Sequence, residues 1–422
     1  MNVFKFGGAS VKNASSVRNV AEVMKKFQGE PVVVVVSAMG KMTNALEGLV
    51  DAYCSRSKEA ARLFSEIKDF HYRIMEDLLP DKTHQVHASV NNHFVEVDWV
   101  LEEDPARAYD FIYDQVVAAG EMVSSSIVSS FLNDSGIKNQ WQDVRNFIRT
   151  DDTYREGKVL WQQTASLIKE QLSPLVKEKN AVVVTQGFIG GTSENYTTTL
   201  GREGSDYTAA ILAWGLDAKE VVVWKDVPGV MNADPKLFED AVKLEQISCQ
   251  EAVEMTYYGA TVIHPKTIRP LQNKGIPLRV KSFLSPERPG TLIIADAQMQ
   301  PLLPCFIVKE NQVLFSLSAR DLSFVAEENL SNIFAVFARH RVCMNLMQHS
   351  AISFSVCVDN DKRKLPLLIE ELQKEYRVLY NEQVELITIR HHDQPSIDRV
   401  TKDKTILTEQ RSRVTVQLVI KS

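Results

Sequence analysis

Over its first half the chain carries short unbroken runs of apolar residues set between longer stretches of mixed character. Val3–Phe6 is one such run, and Val32–Val36 is five consecutive valines. A β-branched run without polar alternation predicts a strand covered on both faces, hence a parallel sheet between helices. The pattern returns at Ala181–Gln186 and at Glu220–Lys225, which reads EVVVWK. Between these runs the period lengthens. Val17–Phe27 predicts a helix that ends before Pro31, and residues 41–134 predict mostly helix, broken at Pro80 and Pro105, with a charged helical excursion from Arg56 to Glu103. Strands alternating with long helices predict an α/β fold, a three-layer αβα sandwich.

The proline-rich stretch Ser285–Pro304 has little periodicity and predicts a domain boundary. Beyond it the order changes. A strand from Gln312 (VLFSLS) precedes a helix at Leu330–His340, two strands (VCMNLM and ISFSVCV), a helix at Lys362–Tyr376 and a strand at Val384–Ile389. That is βαββαβ, a ferredoxin-like order. The remainder predicts a short helix at Ser396–Thr401, a strand at Thr405–Thr408 and an alternating strand, RVTVQLVI, at 413–420, resembling half of a second such unit. The expected domains are 1–295, 305–390 and an abbreviated unit at 391–422, with 384–390 a strand that both C-terminal units could share.

With 422 residues, 44% hydrophobic and 24% charged, the chain has globular composition and enough length for two or three domains. A net charge of −6 disfavours nucleic acid as the main partner, because phosphate binding calls for a basic surface. Cys54, Cys249, Cys305, Cys343 and Cys357 form no C-x-x-C pair, so reduced core thiols are expected rather than disulfides or a zinc site. MNVFKFGGAS lacks a signal-peptide pattern and no segment approaches the roughly 18 apolar residues of a membrane span, so a cytoplasmic address without membrane partners is expected. His71, His84, His87 and His93 fall in the helical excursion and are expected at its surface.

Three segments can carry chemistry, each at the carboxyl end of a predicted parallel strand, where such sheets bind ligands. In Lys5-Phe6-Gly7-Gly8-Ala9-Ser10, paired glycines let backbone N–H groups approach phosphate oxygens and Lys5 adds a charge. The same pair also serves as a plain strand-to-helix turn. In 187–206, GFIGGTSENYTTTLGREGSD, Gly201, Gly204 and Ser205 precede an apolar helix from Tyr207 to Trp214, and a helix start favours an anion. Arg202 there can grip a carboxylate, while Ser205 or Asp206 is expected to cap the helix. The third segment is WKDVPGVMNADP at 224–235. Neither Walker A nor G-x-G-x-x-G occurs, so any phosphate site uses another design. Without H-E-x-x-H or a carboxylate-histidine cluster, no protein metal site is expected and any metal arrives with a nucleotide. These residues alone point to an α/β enzyme handling a small anion and a phosphate donor.

Taken together, KFGGAS at 5–10, SAMGKMTN at 37–44, Gly120-Glu121, TTLGREGSD at 198–206, WKDVPGVMNADP at 224–235 and GATVIHPKT at 259–267 resemble the aspartokinases of the amino acid kinase family, over essentially the whole chain. The resemblance implies a sandwich of the amino acid kinase type followed by ACT regulatory modules of βαββαβ form. It implies phosphorylation of the L-aspartate side chain with Mg²⁺ and ATP, at the head of lysine, threonine and methionine biosynthesis. By motif, Lys5 and Asp206 are the catalytic pair. Thr43, Glu121, Arg202 and Ser205 hold the amino acid. Lys5, Gly7, Gly8, Ser10, Lys225, Asp226, Met231, Lys236, Thr261 and Lys266 face the nucleotide. Thr261 stands where many members have a lysine, and Lys266 is the nearest lysine to it in sequence. Ala9 and Glu203 also depart from the family, which commonly has Thr or Ser and Gly there. In the first regulatory module, Asn345 stands where lysine-inhibited relatives carry an Asp in a V-D-L-I-like stretch, and Asn329 and Asn332 mark the helix start. Asn345 cannot offer a full negative charge to an effector ammonium, so inhibition by lysine or threonine is expected to be weak, altered or absent. The resemblance further implies a homodimer through these modules. A family member acting on glutamate, carbamate or a nucleotide, and an inactive amino-acid sensor, are the alternative readings. A fused homoserine dehydrogenase is not expected within this length.

Overall fold

The computed structural model describes residues 1–178, 181–260, 263–320 and 324–421. They divide into two compact units, Met1–Val230 with Lys243–Val253 and Val262–Gln300, and Met231–Val242 with Glu254–Thr261 and Pro301–Ser422.

The first unit is built on an eight-stranded sheet in the order Gln140–Gln142, Val182–Gln186, Val32–Val36, Asn2–Phe6, Glu220–Lys225, Leu278–Ser282, Thr291–Ile294, Gln246–Ser248. Pairing is parallel across the first six strands; Leu278–Ser282 with Thr291–Ile294 is antiparallel. All five valines of Val32–Val36 are fully buried, as an unalternating strand inside a sandwich requires. Phe4, Phe6, Val32, Val34 and Val36 share one core with the helices Ala14–Lys25, Met42–Cys54, Ala60–Leu78, Val86–Glu102 and Tyr109–Asp134. The opposite face of the Asn2–Phe6 strand meets the helix Gly204–Leu216. Strand register aligns Phe6 with Val36 and Trp224, and Val36 with Gln186, so four carboxyl ends finish side by side. The loops that leave them, at Gly7, Ser37, Gly187 and Lys225, therefore meet at one edge.

The second unit carries a six-stranded antiparallel sheet in the order Met344–His349, Phe354–Asp359, Cys305–Ala319, Tyr376–Arg390, Thr415–Lys421, Thr405–Arg411. Helices Glu327–Arg339 and Leu365–Glu375 cover one core, and helix Gln394–Thr401 a second with Val416, Leu418 and Ile420. The two central strands run longer than their apolar segments suggested. Cys305–Ala319 starts well before Gln312, and Tyr376 opens a strand instead of ending a helix. The polar Lys309-Glu310-Asn311 interrupts the apolar run at a bulge, with Asn311 at φ 51°, which hides its continuity. Cys305–Lys309 pairs with Leu386–Arg390, so the second module draws in a half-strand from before the first.

Three expectations change. His71 is fully buried, because helical spacing turns it inward with Phe64, Ile67 and Ile74. Of the cysteines, Cys249, Cys305 and Cys357 are buried, but Cys54 is only partly so and Cys343 is exposed at a strand entry. Tyr109–Asp134 is long and apolar enough to cross a membrane, yet 83% of its most apolar window is buried inside the protein, as the central helix of the first core.

His71 donates from Nδ1 to the Ile67 carbonyl at 2.8 Å, and burial holds its imidazole neutral, with the pKa pushed down to about 4. The neutral ring stabilises the fold above the ordinary histidine range, and that contribution is lost as pH falls from 6.5 towards 4. His71→Leu is expected to remove about 3 kcal/mol of this acid sensitivity, read as a flatter melting temperature between pH 6.5 and 4; an unchanged slope would exclude His71 as its source.

Candidate active site

Alternation along Asn2–Phe6 sends Phe4 and Phe6 to the helical core and Lys5 to the opposite face, where the helix Gly204–Leu216 begins. Asp206 lies in that helix's first turn. Lys5 Nζ meets Asp206 Oδ1 at 2.6 Å, with the two side chains 12% and 3% exposed. Burial pushes the Asp206 carboxyl up, and Lys5 and Lys225 more than offset it, leaving the group below its ordinary range and ionised. Ser205 and Asp206 do not cap the helix as expected. Glu203 occupies the N-cap without a side-chain cap bond, and the Asp206 carboxylate is committed to Lys5.

The glycines set how closely these loops approach. A Cβ on Gly8 would lie 2.7 Å from the Gly40 carbonyl oxygen, and one on Gly187 would lie 2.4 Å from Ser205 Cβ, so neither site admits a side chain. Gly40 N–H donates to the Gly8 carbonyl at 3.1 Å and Ser10 Oγ donates to the Trp224 carbonyl at 3.3 Å, knitting together the carboxyl ends of the Asn2–Phe6, Val32–Val36 and Glu220–Lys225 strands. Lys5 Nζ lies over Gly7, 3.2 Å from where a Cβ would be.

Glu121 enters from the Tyr109–Asp134 helix. Its Oε1 accepts a long bond, 3.4 Å, from Ala38 N–H, while its buried Oε2 has no partner. Burial pushes this carboxyl up to about 8, against the smaller pull of the Ala38 bond and Lys5. An orphaned carboxylate oxygen costs on the order of 1–3 kcal/mol, and an incoming cation would recover it.

Thr43 is half-buried in the first turn of Met42–Cys54, and Arg202 is exposed on the turn before the Gly204 helix. Glu203, where the family commonly has glycine, adopts φ 53° and ψ 30°, the left-handed region; its Oε2 accepts the His264 N–H at 2.9 Å, which helps hold that conformation. Lys266 Nζ comes within 3.5 Å of where a Gly201 Cβ would stand, adding a second positive charge beside Arg202 in this loop. Lys225 is half-buried and acts on Asp206, and Asp226 is exposed. Met231 and Lys236 belong to the second unit, half-buried and exposed respectively. Thr261 lies outside the described residues. Sequence reading placed Gly187-Phe188 at the start of a candidate segment but overlooked the Ala38 N–H and the left-handed Phe188, at φ 71° with its N–H bonded to Thr208 Oγ1. Among the described residues no group of three or more His, Cys, Asp or Glu side chains could hold a metal.

In the second unit, Asn345 is saturated from within. Its Oδ1 accepts from Lys309 Nζ at 2.8 Å, and its Nδ2 donates to Gln312 Oε1 at 2.8 Å and Asp359 Oδ1 at 3.0 Å. Asn329 and Asn332 form a separate group with Tyr376 and Glu375, so the three asparagines do not converge on one hydrogen-bonded cluster.

The comparisons with known proteins bear on this geometry. The sequence profile of the amino acid kinase family matches residues 1–282. Lysine-sensitive aspartokinase 3 of Escherichia coli (strain K12) is 31% identical over 399 residues, covering 93% of this chain and 87% of that protein. Aspartokinase 1, chloroplastic, of Arabidopsis thaliana is 33% identical over 395 residues, covering 88% and 67%. Among solved structures, E. coli aspartokinase III in complex with lysine and aspartate (T-state) superposes with a TM-score of 0.84 at 28% identity over 99% of this chain and 95% of that one. The same enzyme with aspartate and ADP (R-state) gives 0.81 at 27%, over 100% and 96%.

The Glu121 carboxyl, held protonated by burial, favours the folded state at low pH, and that contribution is lost as pH rises from 4.5 through about 8. Glu121→Gln is expected to raise the melting temperature at pH 8 while leaving it nearly unchanged at pH 5. Equal shifts at both pH values would contradict a neutral buried Glu121.

Proposed function

We propose that this chain, which belongs to the amino acid kinase family and within it to the aspartokinases, transfers the γ-phosphoryl group of ATP to the side-chain carboxylate of L-aspartate, giving 4-phospho-L-aspartate and ADP. The observation that carries this reading is the buried Lys5–Asp206 pair at the strand ends, beside a Glu121 oxygen that lacks a partner.

A carboxylate with a pKa near 4 is already ionised at neutral pH, so the nucleophile needs no general base. The barrier is the approach of an anion to an anionic phosphoryl group, and catalysis reduces to positioning and charge neutralisation. One aspartate carboxylate oxygen bonds to the γ-phosphorus as the bond to the bridging oxygen breaks, and ADP leaves with that electron pair. Lys5 lies on the transferring phosphoryl group, oriented by Asp206, with Gly7, Gly8 and Ser10 around it. Arg202 takes the α-carboxylate, Glu121 the ammonium group, and Thr43 and Ser205 complete the amino-acid contacts. Lys225, Asp226 and Lys266 serve the nucleotide side, Lys266 supplying the charge that Thr261 cannot. Magnesium, which usually keeps several waters and binds substrate phosphates, would arrive with the nucleotide, with Asp206 orienting Lys5 or the ion's ligands rather than holding the ion alone. When bound it would neutralise phosphate charge.

The product feeds lysine, threonine and methionine formation in this reading, in the cytoplasm. Regulation through the second unit is retained in form, but the Asn345 amide already spends its acceptor on Lys309, which favours weak lysine sensitivity. The outer strands Met344–His349 and Thr405–Arg411 are largely exposed and leave sheet edges for a second copy to pair with, which supports a homodimer.

ADP release with Mg-ATP is expected to depend on L-aspartate and to persist in excess lysine; no aspartate dependence would overturn the reading. Arg202→Ala is expected to raise the aspartate KM by ~10-fold or more, the loss of a charge-assisted bond, with the ATP KM little changed. Because Glu121 must ionise to receive an ammonium group, aspartate binding at pH 7 is expected to release a proton, seen as buffer-dependent heat in calorimetry and absent in Glu121→Gln. Sedimentation is expected to find a dimer, and a monomer at every concentration would refute it.

A further inference from the structure

One buried carboxylate remains without a role in this chemistry. Asp114, on the same helix as Glu121 and two turns before it, is fully buried, and no lysine or arginine side chain forms a salt bridge with it among the described residues. It accepts three hydrogen bonds instead. Oδ2 takes the Thr199 N–H and the Arg155 N–H, each at 2.9 Å, and Oδ1 takes the Thr199 hydroxyl at 2.7 Å.

Each partner leads to a substrate element. Thr199 is followed directly by the turn that carries Arg202 and Ser205. Arg155 holds φ 67°, a strained conformation for a side chain of its size, and strain of this kind persists only where surroundings enforce it. Its guanidinium lies 4.2 Å from the Tyr113 ring centroid, with Glu47 Oε1 at 3.3 Å and Asp110 Oδ1 at 3.6 Å. Glu47 stands four residues after Thr43 on the same helix face. The Arg155 loop is also stapled to the strand before Arg202, through Gly157 N–H to the Thr199 carbonyl at 2.9 Å and Thr150 Oγ1 to Thr198 Oγ1 at 2.6 Å. A Cβ on Gly201 would sit 3.3 Å from the Arg155 carbonyl oxygen.

We propose that Asp114, with the strained Arg155 it holds, is a positioning residue that sets the amino-acid end of the site by tying the Thr43, Glu121 and Arg202–Ser205 elements to one buried carboxylate. The proposal deepens the aspartate-kinase reading and rests on it for the identity of the substrate. The two N–H bonds to Oδ2 are charge-assisted while Asp114 is ionised, so the clamp is strongest in that state. Burial pushes this carboxyl up to about 6, against the three hydrogen bonds and the Arg155 charge. The titratable groups that act on it are Arg155 and Tyr154 from the loop and Tyr113 on its own helix, while Glu47 from the Thr43 helix and Asp110 pair with the Arg155 guanidinium, and Glu47 and Glu121 act on Tyr113. As pH falls through that value the carboxyl gains a proton, the bonds from the Thr199 and Arg155 N–H groups lose their charge assistance, and the hold on the Arg202 turn weakens.

The test measures the aspartate KM and the ATP KM from pH 5 to 8 for the full-length enzyme and for Asp114→Asn, whose amide keeps one acceptor oxygen but loses the charge and cannot titrate. The expected result for the variant is an aspartate KM raised ~10-fold at pH 7.5, an ATP KM within about two-fold, and loss of the additional wild-type rise in aspartate KM below pH 6 that comes on top of the rise Glu121 protonation gives both enzymes. Thr199→Val, which deletes only the hydroxyl contact, is expected to give a smaller rise and keep the acid limb, and it serves if Asp114→Asn does not fold. Wild-type aspartate KM and an unchanged acid limb in Asp114→Asn would overturn the proposal, as would a wild-type KM in Thr199→Val. Amide exchange is read in parallel and needs no turnover. Thr199 and Arg155 N–H exchange is expected to quicken below pH 6 relative to the rest of the sheet, beyond the intrinsic pH trend. If the wild type shows no aspartate-dependent turnover, the substrate reading falls, while unaccelerated exchange at those two amides would sink the clamp itself.

Discussion

The Lys5–Asp206 contact is the constraint around which the first unit is arranged. It requires a strand residue and a helix residue to meet in the interior at 2.6 Å, and the local sequence is shaped to that meeting. Alternation selects the face on which Lys5 emerges. The Gly7-Gly8 turn ends the strand there, and Gly187 has no side chain so that the Gly204 helix can press its first turn against the loop. A buried ion pair is weak evidence for stability, since desolvating two charges offsets most of their attraction. Its presence at the aligned ends of four parallel strands is better explained by what it holds ready: a cation fixed in place before an anionic ligand arrives.

Two other buried carboxylates show how differently one fold can treat the same group. Asp206 has Lys5 and Lys225 near it and falls below its ordinary pKa, whereas Glu121 has a single long bond and rises to about 8. Asp114 lies between, near 6, because three dipolar donors partly replace the water it lost. The gradient follows the partners each oxygen has. Environments that push neighbouring acids apart in this way distinguish permanent charges from groups poised to gain one.

Much of this was legible in the sequence, for reasons that differ between elements. The five-valine strand announces a doubly covered sheet because only burial on both faces tolerates it, and Lys5, Arg202 and Asp206 sit in segments that follow strand ends, whereas Glu121, in mid-helix, was singled out by the family resemblance alone. What was not legible depends on distant pairing. Nothing local tells that Cys305–Lys309 will pair with Leu386–Arg390, because the polar 309–311 bulge breaks the apolar pattern at the point where one strand passes from one module to the next. His71 was misplaced because charge along a helix was weighed above its 3.6-residue period. Asp114 gave no signal at all: an acidic residue in an apolar helix reads as a surface position until Thr199 and Arg155 are seen to converge on it.

The same reasoning applies to the second unit, where the absence of a charge at Asn345 matters less than what has replaced it. An aspartate there would pair with Lys309 but would face Asp359 with like charge. Asparagine removes the repulsion and presents both polarities, so its amide can donate to Asp359 and Gln312 while accepting from Lys309. The Lys309 stem is itself confined, since a Cβ on Gly259 would lie 2.5 Å from its Cε. A free amino acid competing for this position would have to displace an ammonium group already tethered to the chain, and tethering gives the internal group an effective concentration that a dissolved effector must exceed.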